Sequence, residues 1–215
     1  TRKSYYSIMF YIMQAFFKKN LIFFTKFTFS GKLKRKTVKK GMGTEMIFES
    51  HAHYDDEAFD EDRHELLSSL REQGIDIVIN VGASLDSCKV TLELMERYPF
   101  VYGAMGVHPG ETAELNEERF AWLRKQCMAD KVVAVGEIGL DYHWPEPKEQ
   151  IQKRWFERQL ELAKEVRLPV IIHSREAAKD TLDIMRSLHA EEAGGVVHCY
   201  SYTKEIAREY LAMDF

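Results

Sequence analysis

Six residues in this sequence are metal-ligand types, spaced in a way that could bring them together. His51 and His53 form a His-x-His pair. Residues two apart on a strand share a face, so both imidazoles could bind one metal ion. Alone the spacing is weak, since two partly exposed loop histidines make the same pattern. Glu137 stands in Val135-Gly-Glu-Ile-Gly-Leu-Asp-Tyr142, directly after an apolar run. A carboxylate there is costly to bury unless a metal or an arginine compensates it. Gly136 and Gly139 would permit a tight turn around it. His173 ends Leu168-Pro-Val-Ile-Ile-His173, and His198 ends Gly195-Val-Val-His198. His108, in Gly106-Val-His-Pro109, reads as a ligand, a proton donor or a phosphate contact. Arg175 lies two residues past His173, so it can face the same pocket with a guanidinium suited to bidentate phosphate binding. Asp141 either supports a ligand by hydrogen bonding or caps the loop that follows.

The surrounding pattern supplies a scaffold. Short apolar strands are expected at Met46–Ser50, Ile75–Val81, Val101–Val107, Val132–Glu137, Pro169–His173 and Gly195–Cys199. Amphipathic helices are expected near Asp60–Gln73, Ser84–Tyr98, Glu117–Ala129, Lys148–Val166, Arg175–His189 and Thr203–Met213. Ser84 and Asn116 are the expected N-caps. This alternation predicts parallel βαβ units. Serial repeats favour a TIM-type (β/α) barrel, with a doubly wound open sheet as the competitor. No Gly-rich dinucleotide fingerprint follows the first strand, which removes one reason for the open sheet. The candidate residues all fall at strand C-terminal ends, where barrel enzymes carry their chemistry. His64 and His189 belong to helices and read as surface residues. His143 lies in the loop after the fourth strand.

The net charge of −4 hides two unlike pieces. Residues 1–44 hold 11 of the 30 Lys and Arg and no Asp or Glu, which leaves 19 basic against 34 acidic side chains beyond, a net of −15. Residues 1–45 therefore read as a basic, aromatic extension, and residues 46–215 as the barrel domain. Three readings of the extension compete: a membrane-surface anchor, a targeting peptide, or non-native sequence upstream of the true start. No apolar run approaches the ~20 residues that span a bilayer, so no stable membrane association is expected. The three cysteines, Cys88, Cys127 and Cys199, form no metal or disulfide pattern and point to a reducing, cytoplasmic setting.

The motifs Glu49-Ser-His-Ala-His-Tyr-Asp-Asp56, Gly106-Val-His-Pro109, Val135 to Tyr142, Ile171-Ile-His-Ser-Arg175 and Val197-His-Cys-Tyr-Ser201 together resemble the TatD family of metal-dependent deoxyribonucleases. The likeness runs from Met46 to Phe215. It implies a hydrolase of DNA phosphodiester bonds with a water activated by two divalent metal ions, and the −15 charge of the body favours single strands or frayed ends over duplex as the substrate. His51 and His53 would bind the first ion, Glu137 would bridge, and His173 and His198 would bind the second. Glu137, His108 and Arg175 would be the catalytic set, the latter two near the scissile phosphate. The ligand types suit Mg²⁺, Mn²⁺, Zn²⁺ or Fe²⁺. The family's aspartate at the end of the last barrel strand has no match here, and Tyr202 stands where the family often has glycine. The expected barrel thus lacks its last two βα units and would be marginally stable alone. Hydrolysis of another ester or an amide, aminoacyl-tRNA included, and a non-catalytic fragment are the alternatives.

Overall fold

A computed structural model describes residues 47–215. The basic extension, with its three readings, lies outside the described residues. Six strands form one sheet: β1 (Ile47–Ala52), β2 (Ile75–Val81), β3 (Val101–Met105), β4 (Val132–Asp141), β5 (Val170–Arg175) and β6 (Gly195–Val197). They lie in chain order, and every neighbouring pair is parallel. Helices α1 (Arg63–Ser69), α2 (Leu85–Arg97), α3 (Glu117–Gln126), α4 (Glu149–Val166) and α5 (Ala178–Ser187) connect successive strands, and α6 (Lys204–Ala212) follows β6. The sheet curls. β1 and β6 are not hydrogen-bonded neighbours, yet His51 near the end of β1 stacks on His198 just past β6, with ring centroids 3.6 Å apart. This is the βα-barrel curvature that the alternation predicts, with six of its strands.

The pleat sorts the apolar side chains. Val78, Val101, Val135, Val170 and Ile172 join helix residues such as Leu94, Leu123, Phe156 and Leu160 in the main core. Their neighbours Ile79, Val81, Ala104, Ala134 and Ile171 form a second, smaller cluster on the opposite face. A sheet buried on both faces needs continuous apolar runs, which is why these strands read as Ile-Val-Ile rather than as alternating sequence. Ser84 and Asn116 cap their helices as expected, accepting from Ser87 N at 3.1 Å and Arg119 N at 2.9 Å.

Several element boundaries differ from expectation, each for a local reason. The first helix starts late because the Arg63 guanidinium holds the preceding loop, donating to Asp56 O at 2.8 Å and to Asp60 Oδ1 at 2.6 Å. β6 is short because Cys199 takes a left-handed conformation (φ 46°), which strand pairing cannot follow. The larger difference is in β4. It does not end at Glu137 in a glycine turn but runs on to Asp141, with an irregular register against β5 between Val135 and Ile138. β5 likewise continues to Arg175. The two glycines serve close approach instead. Gly139 has φ 145°, and a Cβ there would sit 1.9 Å from His173 O.

Gly139→Ala should therefore force β4 away from β5 directly beneath His173. A fall in Tm of roughly 6–12 °C is expected from strain of this kind. Thermal unfolding followed by circular dichroism checks it, and an unchanged Tm would contradict the packing described.

Candidate metal centre

The first group of ligands is built by β1 and the loop after it. His51 Nε2 and His53 Nε2 lie 3.1 Å apart. His53 donates from Nδ1 to Val81 O at 2.8 Å, which leaves the Nε2 lone pair aimed at His51. The loop beyond is held by a buried network. Tyr54 N donates to Asn80 Oδ1 at 2.6 Å, and Asn80 Nδ2 donates to Asp55 Oδ1 at 2.7 Å and Thr91 Oγ1 at 2.8 Å. Ser87 Oγ donates to Asp55 Oδ2 at 2.5 Å. Asn80 and Thr91 are both fully buried. Sequence reasoning missed this network. The signal was there: an asparagine in the apolar strand Ile-Val-Ile-Asn-Val and a threonine on the core side of α2.

Glu137 is 4% exposed and divides its two oxygens between two groups. Oε2 lies 3.4 Å from His51 Nε2 and 3.9 Å from His53 Nε2. Oε1 lies 2.9 Å from His173 Nδ1. Burial alone would raise its pKa, but hydrogen bonds from His173 and His51 more than reverse that. The carboxyl is held well below the usual carboxylate range. His173 also meets Asp141 Oδ2, at 3.1 Å from Nε2. Burial would lower the His173 pKa, yet the Glu137 and Asp141 carboxylates raise it above the ordinary imidazole value. Asp141 fills both of the roles offered for it, since its other oxygen accepts from His143 N at 3.0 Å.

His108 differs in kind. Its Nδ1 accepts from Gly110 N at 3.1 Å, so the neutral ring carries its hydrogen on Nε2. Burial, then the charge of His173, pushes its pKa down to about 4, so it is neutral at pH 7. Its ring stands edge-on to His173 at 4.2 Å between centroids. His198 is also neutral, lowered to about 4 by burial and then by His51, on which it stacks.

Two groups of possible ligand atoms result, each within 4.8 Å: His51, His53 and Glu137, and His108, Glu137 and His173. Among the described residues His198 stands outside both groups, against His51. Arg175 pairs with Asp141 in the strand register, and its side chain is exposed. His64 and His189 are surface residues, and His143 is an exposed loop residue paired with Glu176 at 2.8 Å. The thiols of Cys88 and Cys127 are buried and raised to about 12, which removes them as nucleophiles.

The strand ends that carry His108 and Asp141 are clamped by one helix. Gln152 and Gln159, seven apart on α4, share a helix face and are 1% and 0% exposed. Gln159 accepts from Val107 N at 2.8 Å and donates to Val107 O at 3.1 Å. Gln152 accepts from Asp141 N at 2.8 Å and donates to Asp141 O at 2.9 Å. Neither glutamine stood out in the sequence, because both read as polar positions of an amphipathic helix.

The donor set fits divalent cations. Two donors bonded to one ion at ~2.0–2.1 Å in a tetrahedron stand about 3.3 Å apart. The separations of 3.1, 3.4 and 3.9 Å among His51, His53 and Glu137 bracket that value. The His53 Nδ1–H bond to a backbone carbonyl is the outer hydrogen bond that orients a ligating imidazole.

A curled parallel βα sheet with histidines and a carboxylate converging at strand ends is the arrangement of a metal-binding βα barrel. The chain belongs to the family described as TatD related DNase, whose model matches residues 48–215. It is 39% identical over 170 residues to the uncharacterized metal-dependent hydrolase YabD of Bacillus subtilis, covering 79% of this chain and 67% of that protein. It is 34% identical over 154 residues to the 3'-5' ssDNA/RNA exonuclease TatD of Cronobacter turicensis, covering 72% and 59%. Among solved structures it resembles the TatD homolog YjjV of Escherichia coli K12, with TM-score 0.71 and 29% identity over 78% of this chain and 65% of that one. A TatD family hydrolase from Entamoeba histolytica gives TM-score 0.72 and 26% identity over 78% and 62%. The chain thus spans 59% to 67% of the length of these curated relatives.

Two outcomes follow from the geometry. Asp141→Asn weakens the support of His173 and should cost roughly 10–100-fold in metal affinity, measured by metal titration. Both ring nitrogens of His173 face carboxylate oxygens, which favours its protonated form without metal, so a cation must displace that proton. Calorimetry in buffers of different ionisation enthalpy should show net proton release on metal binding. The release should shrink as pH rises through the raised His173 pKa, and metal affinity should fall as pH drops below it. Proton uptake on binding would contradict this charge arrangement.

Proposed function

We propose that this protein hydrolyses phosphodiester bonds of DNA with the help of two divalent cations. The observation that carries the reading is the divided carboxylate of Glu137, with one oxygen toward His51 and His53 and the other toward His173. His51, His53 and Oε2 of Glu137 would hold one ion, and His173 with Oε1 the other. His198 stands outside both groups and stacks on His51, and its assignment as a further ligand of the second ion rests on the resemblance of its motif to the family's. Bound cations supply a water nucleophile at neutral pH and neutralise charge on the phosphate.

The side chains divide the remaining work. Glu137, ionised and buried, keeps the two ligand groups together. His108 presents an Nε2–H and stays neutral at pH 7, which suits it to donate to a phosphate oxygen rather than to ligate. Arg175, exposed at the end of β5 two residues beyond His173, would take a second phosphate oxygen on entry. The net charge of −15 over residues 45–215 disfavours long-range attraction of a duplex. Single strands and frayed ends are therefore the assigned substrates. Among the described residues no helix is long and apolar enough to cross a membrane, and the three cysteines are unpaired. Both fit a cytoplasmic enzyme.

End-labelled single-stranded DNA should be cleaved with Mg²⁺ or Mn²⁺ and spared when chelator is added, with duplex cleaved more slowly. Glu137→Gln keeps the shape of the side chain and loses its charge. It should cost more than the roughly 10–100-fold expected for loss of an outer hydrogen bond. It should also cost more than His108→Ala. Full turnover and full metal content in Glu137→Gln, or no metal-dependent cleavage by the unmodified protein, would overturn the assignment.

A further inference from the structure

Between β4 and α4 the chain crosses a short rim loop, residues 142–148, that begins one residue after Asp141. Its two ends are fastened to one buried side chain: Gln152 Nε2 donates to Asp141 O at 2.9 Å and to Pro147 O at 2.8 Å. Within the loop, Tyr142 donates its hydroxyl hydrogen to Asp180 Oδ2 at 2.9 Å. His143 N donates to Asp141 Oδ1 at 3.0 Å, and the His143 ring meets Glu176 at 2.8 Å. Pro145 and Pro147 restrict two further φ angles. A loop tied in this way loses little conformational entropy when something binds to it.

What the loop presents is Trp144. The side chain is 60% exposed and lies in T-shaped contact with the His143 ring, with centroids 4.8 Å apart at 83°. The other two tryptophans behave differently: Trp155 is 3% exposed in the core, and Trp122 is half-buried against it. Three residues of backbone reach at most about 11 Å, so Trp144 stands close to Asp141 and its partner His173. A water-exposed indole on a tied loop beside a phosphodiester site is a surface on which a splayed base can stack. The charge balance makes such a surface useful. A body with a net −15 gains little from tracking phosphates away from the metals, and stacking adds affinity that needs no positive charge.

We propose that Trp144 is the stacking platform for an unpaired base of the substrate strand next to the scissile phosphodiester, which rests on the nuclease reading above. The platform selects substrates with at least one unstacked base, and so favours single strands over duplex.

The test uses the full, metal-loaded chain with an oligothymidylate and an abasic deoxyribose-phosphate strand of the same length. Trp144→Ala should raise KM for the oligothymidylate about tenfold, the effect falling on KM rather than kcat. Trp144→Phe retains an aromatic face and should stay within about threefold of the unmodified protein. On the abasic strand all three proteins should have the same KM. Equal KM values on the oligothymidylate, an equal loss on both strands, or a Phe variant as poor as the Ala variant would each overturn the proposal.

Binding is read separately by tryptophan fluorescence of the metal-loaded protein, with a hydrolysis-resistant phosphorothioate oligothymidylate. Oligothymidylate should quench the unmodified protein and leave Trp144→Phe unchanged. If neither strand is hydrolysed, the nuclease reading fails, and this second measurement decides the platform by itself. Quenching that disappears in Trp144→Phe upholds it, and the absence of quenching sinks it. A Trp144-dependent change in sedimentation without any strand would assign the indole to a protein contact instead and overturn the proposal.

Discussion

The buried charge of Glu137 is the constraint on which the rest of the site depends. An ionised carboxylate at 4% exposure costs several kcal/mol unless positive or hydrogen-donating groups surround it. Here they come from β1 with the loop after it and from β5. His51 and His53 face one oxygen, and His173 faces the other. The compensation is available in two forms, protons on imidazole or cations between the same donors. That equivalence is why a metal centre of this kind can remain folded in both states, and why its occupancy is linked to pH.

Close approach of β4 and β5 follows from that constraint. Glu137 and Asp141 lie four apart on β4, and His173 on β5 must reach both carboxylates with its two ring nitrogens. Gly139 stands opposite His173 in the register, where any side chain would collide with the His173 carbonyl. The glycine is there for what it omits. Behind the sheet, Gln152 and Gln159 fasten the ends of β4 and β3 to α4, and Asn80 fastens the loop after His53. Each of these amides is buried and satisfied. A buried polar group of this sort contributes geometry as much as stability, because it is costly to leave unpaired and so admits few arrangements.

The two histidines with lowered pKa illustrate how environment divides like residues. His108 and His198 are both brought to about 4 by burial, then by a neighbouring imidazole. They differ in what their nitrogens meet. A backbone N–H occupies His108 Nδ1 and makes its other nitrogen a donor. His198 lies flat on His51 and has no such restriction. Which nitrogen of a histidine can donate and which can accept is therefore set by hydrogen bonds to backbone, not by residue type.

The order of strands and helices, the candidate ligands and the family were legible in the sequence by itself. Period-two spacing, apolar runs and cap residues are local properties that act within a few residues. His-x-His, the Val-Gly-Glu-Ile-Gly motif and the histidines after apolar runs could be assigned to strand ends on that basis. Other features could not be read locally. The extension of β4 through Gly139 to Asp141 depends on how near β5 approaches. The closure of Asn80 on Tyr54 and Asp55, and of Gln159 on Val107, spans 25 to 52 residues. The division of the Glu137 oxygens, and the separation of His108 from His198, depend on which strand ends the curl of the sheet brings face to face. Sequence determined which groups were available and roughly where along each strand they stood. Tertiary structure decided which of them meet, because a hydrogen bond or ligand contact needs atoms within about 3 Å, and only the packed sheet sets distances between strands to that tolerance.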